Sequence, residues 1–227
     1  MRRTLFLLIV GLGGAAILVA LGVWQVQRLA WKQAIVSDIE ARIVAEPVAL
    51  PETPDPDRDA YLPVRVTGTL GAPALHVLVS QREVGAGYRV IAPLTTKDGR
   101  VVMADLGFLP ANRKDDFTPG GPITLTGNLQ WPQEVDSFTP APDVAGNIWF
   151  ARDVPAMAAA LDTEPLLVVA RADSLGDVPV TPLPVATALI PNDHLQYAIT
   201  WFSLAAVWLA MSVMFLRRRR APHQPES

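Results

Sequence analysis

The sequence predicts an α+β membrane protein in which two transmembrane helices flank a β-rich extracytoplasmic domain with one short helix. Three observations predict it. Leu5 to Trp24 is twenty residues without a charge, and Ala198 to Leu216 is nineteen. Charge is segregated: residues 33–193 carry 11 Lys+Arg against 21 Asp+Glu, a net of −10, whereas the two flanking segments hold 8 Lys+Arg and a single acid, Glu226. Between the apolar runs the hydrophobic pattern changes to a period of two, punctuated by Gly and Pro.

Each apolar run is long enough to span a bilayer, because a rise of about 1.5 Å per residue brings it to roughly the 30 Å hydrocarbon thickness. A cleaved signal peptide after Arg2-Arg3 is the competing reading of the first run. Its apolar stretch exceeds the usual core of about 7–15 residues, and no small-x-small cleavage site precedes a polar start. Arg217-Arg218-Arg219-Arg220 marks a cytoplasmic end after the second span. Two spans then put both termini in the cytoplasm and the central domain outside, in the periplasm of a bacterium whose inner (plasma) membrane holds the chain. Arg28 and Lys32 oppose the charge rule, since they lie just beyond the outer end of the first span. The chain has no cysteine. That excludes disulfides, cysteine-ligated zinc, iron–sulfur clusters and covalent c-type haem attachment.

In order, residues 1–46 lack proline and read as one helix, from about Thr4 to about Ala45, whose apolar pattern runs on through Trp31, Ile35, Ile39 and Ile43. Residues 47–60, with Pro47, Pro51, Pro54 and Pro56 and four acids, read as an extended linker. The β-rich domain is 61–191. Tyr61–Leu70 and Leu75–Val79 are predicted strands around Gly71-Ala72-Pro73. Tyr88–Ile91 is a third, and Lys97-Asp98-Gly99 turns into a fourth, Arg100–Leu109. Ile123–Leu129 is a fifth, Gly146–Phe150 a short extended piece, and Leu166–Ala170 a buried-type strand. Val154–Leu161 is predicted helical, with Asp153 as cap and Pro155 in its first turn. Pro179, Pro182, Pro184 and Pro191 make the return an extended connector. Residues 192–216 form the second transmembrane helix and 217–227 a basic tail.

The polar mouths of the two spans lie at one depth. On the first, Trp24, Arg28 and Trp31 fall at i, i+4 and i+7, with Gln25 and Lys32 adjacent. On the second, His194, Tyr197, Ala198 and Trp201 share a face. Interfacial Trp, Tyr, Arg and Lys commonly serve as membrane anchors, which is the plain reading of each taken singly. An ionisable residue near hydrocarbon is costly and asks for a purpose. One imidazole, aromatic walls and a cation would suit a flat apolar macrocycle with an iron and anionic propionates: His194, then Trp24, Tyr197 and Trp201, then Arg28.

Leu21-Gly22-Val23-Trp24-Gln25-Val26-Gln27-Arg28-Leu29-Ala30-Trp31-Lys32 resembles the LGxWQxxRxxWK signature of the surfeit-locus family of cytochrome c oxidase assembly proteins. Asn192-Asp193-His194-Leu195-Gln196-Tyr197-Ala198-Ile199-Thr200-Trp201-Phe202 resembles that family's NxHxxYAxTWF stretch at the start of its second span. Val84–Leu94 and Gly146–Asp153 look like its GxxVxxPL and GNxWxxRD segments. The resemblance implies a part in maturing a haem-copper oxidase, by non-covalent, transient binding of haem a and its delivery to the large subunit of cytochrome c oxidase. It also implies His194 as the haem iron ligand; Trp24, Gln25, Arg28, Tyr197 and Trp201 are the residues expected around it, and haem a synthase and the lipid bilayer the further partners expected. One departure stands out: the family's VNRGWVP is here Ala104-Asp105-Leu106-Gly107-Phe108-Leu109-Pro110.

No enzyme is expected. The sequence has no GxSxG, and Gly85-Ala86-Gly87 lacks the third glycine and following helix of a nucleotide loop. His76 reads as a surface or structural residue in a strand. Met211 and Met214 are read as packing or lipid contacts. No nucleic acid is expected as partner. The alternative function is a haem-free membrane scaffold that holds an oxidase subunit during assembly.

Overall fold

The computed structural model describes residues 2–81, 85–187 and 192–218. Val84, Pro191, Arg219, Arg220 and the rest of the basic tail lie outside the described residues. The chain forms two compact units, Met1–Asp38 with Thr187–Ser227, and Ile39–Ala186.

The first helix, α1, runs unbroken over Arg2–Ile43. The second unit takes in its last turn and continues through β1 (Val48–Ala49), α2 (Pro56–Asp59), β2 (Pro63–Leu70), β3 (Leu75–Gln81), β4 (Gly85–Thr96), β5 (Val101–Pro110), a 3-10 turn (Ala111–Arg113), β6 (Gly121–Gln130), α3 (Val154–Leu161) and β7 (Leu167–Ala170). The final helix, α4, is His194–Arg218. The two helices α1 and α4 are long and apolar enough to cross a membrane.

The strands form one sheet in the order β1-β2-β6-β7-β5-β4-β3, and β2 also pairs with β4. That extra pairing closes β2-β6-β7-β5-β4 into a five-stranded barrel, from which β1 and β3 extend. Closure brings two backbones unusually close at Gly68, where a Cβ would stand 2.2 Å from the Thr95 carbonyl oxygen. Only glycine fits there. Inside the barrel, Val64, Val66, Val90, Ala92, Leu94, Val102, Ala104, Leu106, Leu125 and Val168 make one core. Outward-facing Ile91, Met103, Leu167 and Val169 are covered by Val154, Met157, Ala158 and Leu161 of α3, making a second. Strands covered on both sides lose the alternating pattern, which is why Val102–Leu109 is buried throughout.

The α3 helix has the predicted bounds. Asp153 Oδ1 accepts from Ala156 N at 3.1 Å, and Asp162 closes the helix in the left-handed conformation at φ +53°. The turn at Lys97–Gly99 is also as predicted, with Gly99 at φ +86° and Thr96 N donating to Arg100 O at 2.8 Å.

Two features differ from the sequence reading, and a third adds to it. The strand predicted at Tyr88–Ile91 extends to Thr96, because Pro93 sits in register opposite Met103 while its carbonyl accepts from Gly71 N at 2.8 Å. The stretch read as an extended linker holds β1, parallel to β2, and α2, which Asp55 caps by accepting from Asp57 N and Arg58 N. The returning connector is pinned to β5: Phe108 N donates to Thr181 O at 2.7 Å and Thr181 N to Phe108 O at 2.8 Å. Gly107 at φ +109° lets it approach, since a Cβ there would meet Thr181 O at 2.4 Å.

The end of α1 illustrates how this unit satisfies its backbone. The carbonyls of a helix's last turn have no intrahelical partner. Asn128 Nδ2 donates to Ile43 O at 2.9 Å, and Arg171 donates to the carbonyls of Ile43 and Ala45.

Candidate functional site

The helix pair is built on small residues. On α1, Gly11, Ala15, Gly22 and Gln25 are buried, and Leu18, Leu29 and Lys32 half-buried, a stripe whose steps alternate between four and three residues. On α4 the corresponding stripe is His194, Ala198, Trp201, Ala205 and Ser212. A period of 3.5 residues is that of a left-handed seam, and small side chains let the backbones approach. A Cβ on Gly14 would stand 2.6 Å from Trp208 Nε1, one on Gly22 2.6 Å from the Phe202 ring, and one on Gly11 3.0 Å from Ser212 Oγ. Rising numbers on α1 thus meet falling numbers on α4, so the helices are antiparallel. Trp208 Nε1 also donates to the Gly11 carbonyl at 3.0 Å.

Following that seam to its end brings Gln25 to His194. Their Oε1 and Nδ1 atoms are 2.8 Å apart across 169 residues of sequence. Gln25 is 8% exposed, and His194 is half-buried at the first position of α4. Asp193 holds the N-cap position, its carbonyl accepting from Tyr197 N at 3.1 Å.

The other predicted residues surround this pair without joining the seam. Trp24, Arg28 and Tyr197 are exposed, and Trp201 is half-buried. At about 100° per residue, Trp24 and Arg28 fall on one flank of the α1 stripe. Tyr197 falls on the flank of α4 that opens to the same side, opposite the flank where Gly22 meets Phe202. Arg28 lies over the Trp31 ring, its guanidinium carbon 4.3 Å from the centroid. Gln25, read from the sequence as adjacent to the aromatic face, is the residue that faces the histidine. The four-three spacing of Gly11, Ala15, Leu18 and Gly22 carries that signal, because the next step lands on Gln25.

His76, by contrast, is buried in the β-domain. Its Nδ1 lies 3.0 Å from Asn147 Nδ2, its ring meets Tyr88 edge to face at 5.6 Å, and Nε2 has no partner among the described residues. Burial lowers its pKa, as does nearby Lys114, against an opposing pull from Asp115. Of the two readings the sequence offered, surface or structural, burial removes the first.

A buried ion network escaped the sequence reading. Asp105 Oδ2 accepts from Arg89 Nε at 2.7 Å and lies 3.7 Å from Arg152 Nη1, while Oδ1 accepts from Gly107 N at 3.1 Å. Arg152 in turn pairs with Glu134. Burial pushes the Glu134 carboxyl up, but the bonds and charge of Arg152 outweigh it and hold the group below its ordinary value. Beside Asp105, at the departure from the family pattern, Leu106 and Phe108 are buried where the family pattern has arginine and tryptophan. Among the described residues no cluster of three or more His, Asp or Glu side chains could hold a metal ion.

Comparison with known proteins converges on one family. The model of the SURF1 family matches residues 12–206. Surfeit locus protein 1 of Homo sapiens is 31% identical over 211 residues, covering 82% of this chain and 69% of that protein. The SURF1-like protein of Monosiga brevicollis is 33% identical over 223 residues, 88% and 83% of the two chains. The SURF1-like protein of Rickettsia conorii is 26% identical over 216 residues, 90% and 89%.

Proposed function

The chain belongs to the SURF1 family, and we propose on that premise that it is a non-catalytic carrier in the assembly of a haem-copper cytochrome c oxidase. In this reading α1 and α4 span a bacterial inner membrane with both termini in the cytoplasm, and residues 33–193 lie in the periplasm. Haem a is the cargo, held through its iron by His194 and passed to the large oxidase subunit. Haem a synthase is the source of chemistry upstream.

The observation that carries the reading is the 2.8 Å bond between Gln25 and His194, which sets a single oriented imidazole where the apolar run of α1 and the start of α4 carry aromatic residues. A neutral imidazole bonded through one nitrogen has the other as its lone pair for a metal. The donor set fits the group. Trp24, Tyr197 and Trp201 offer flat apolar faces, and Arg28 offers a cation for a propionate. A carrier must also let go, and a half-buried ligand on an open flank suits release better than an enclosed pocket. The exposure of Trp24 and Tyr197 equally suits contact with a protein partner, which favours the scaffold role as a second reading.

The optical spectrum of the detergent-purified protein, made in cells that synthesise haem a, decides between them. A haem a spectrum that is lost or shifted in His194→Ala is expected. Protein free of haem, or a variant with unchanged haem content and spectrum, leaves the scaffold reading.

A further inference from the structure

We propose that Gln25 is a positioning residue: its amide oxygen fixes the tautomer of His194 and so presents Nε2 as the ligating nitrogen. The inference rests on the haem reading above for its purpose, though not for its geometry.

The chemistry is narrow. An amide oxygen can only accept a hydrogen bond. An imidazole nitrogen 2.8 Å from Gln25 Oε1 must therefore donate, so the proton of the neutral ring sits on Nδ1. The lone pair is then on Nε2, which projects farther from the backbone. Metal-bound histidines commonly have their second nitrogen held in this way, which fixes both tautomer and ring plane.

Gln25 is well placed to impose the choice. At 8% exposure its amide cannot exchange His194 for bulk water, and a buried polar group left unpaired is costly. Its position is set by the seam, since Gly22 one turn earlier is packed against the Phe202 ring. The ring it holds is equally fixed at its root, in the first turn of α4. An imidazole on a free helix end would sample both tautomers and several rotamers. Among the described residues no second side-chain hydrogen bond reaches the His194 ring, so the choice of nitrogen lies with Gln25.

The test uses full-length, haem-free protein in detergent with 15N-labelled histidine, His194→Ala identifying the relevant signals. Wild type is expected to show a protonated Nδ1 and an unprotonated Nε2 at the residue. Gln25→Leu should give a mixture of tautomers, and Gln25→Glu, which keeps an acceptor in place, should retain the wild-type pattern. Haemin titrated into the same samples should bind about 10–100-fold more weakly to Gln25→Leu than to wild type. A proton on Nε2 in wild type would mean that the amide nitrogen faces the ring, and would overturn the proposal, as would an unchanged tautomer in Gln25→Leu. Haemin binding that is the same in His194→Ala as in wild type would overturn the haem reading instead, and the tautomer signals would still decide whether Gln25 orients the ring.

Discussion

Replacing Asp105 with alanine should destabilise the β-domain substantially, because it removes the hub of the buried ion network. The Asp105 side chain is fully buried, and those of Arg89 and Arg152 are only 15% and 12% exposed. Breaking a buried pair by deleting one partner typically costs about 3–5 kcal/mol, since an uncompensated charge is left behind. Arg152 retains Glu134, and Arg89 retains the Leu183 carbonyl at 2.7 Å. Those remaining partners put the loss at the lower end, about 3 kcal/mol. In a unit of this size each kcal/mol moves Tm by about 2–4 °C, so the expected drop is about 6–12 °C. Circular dichroism melts of the detergent-solubilised full-length protein would measure it. Asp105→Asn, which keeps an oxygen for only one of Arg89 and Gly107 and turns its amide N–H2 toward the other, should cost less than alanine but more than half as much. The double variant Arg89→Met/Asp105→Leu should recover part of the loss, because apolar replacement of a whole pair is often tolerated. An Asp105→Ala protein melting within about 2 °C of wild type would refute the reasoning.

Two further outcomes follow from the packing and the charges. Gly14→Leu forces side-chain atoms into the Trp208 indole, where even a Cβ would be 2.6 Å away. The helix pair should weaken by about 1–3 kcal/mol, seen as lower yield of an engineered disulfide between Leu18→Cys and Ala205→Cys; a yield equal to that of the parent cysteine pair would count against the seam. Lowering the pH should destabilise the domain in two steps with different owners. The folded-state pKa of His76 is depressed, so its contribution is complete above the ordinary histidine value and is lost as pH falls through the range below it. Glu134 is also depressed, and its contribution is lost only below the ordinary carboxylate range. His76→Phe should abolish the first step and leave the second, and an unchanged stability–pH curve would show that His76 is not its source.

Much of this molecule was legible in sequence, for physical reasons that differ by element. Charge-free apolar runs announce the two long helices, because each is of a length that could cross a bilayer. The period of two announces β2, β3 and β6, and Asp153 with Pro155 announces α3. What stayed hidden depended on non-local pairing. Nothing near Leu70 or Thr96 says that β2 and β4 pair to close a barrel, and Gly68 declares its reason only when Thr95 is beside it. Pro93 reads as a breaker until its place opposite Met103 is known. At the site, His194 and its aromatic neighbours could be named, but the face of α1 turned to them could not be settled by listing aromatics. The spacing of small residues selects it, and that selects Gln25 in place of Trp24 or Arg28. The partners of Asp105 stayed hidden because one acid inside a buried strand resembles any other until Arg89 and Arg152 arrive.

The sequence separation of 169 between Gln25 and His194 also sets an order of events. Gln25 is synthesised before His194, so the two halves are made at different times. Until α4 is in place, Gly11, Gly14 and Gly22 leave an open groove on α1, and the buried amide has no imidazole to serve. On the reading proposed above, a cargo held by His194 and oriented by Gln25 would find its site only once α4 has been made and has paired with α1, so assembly of the helix pair precedes loading.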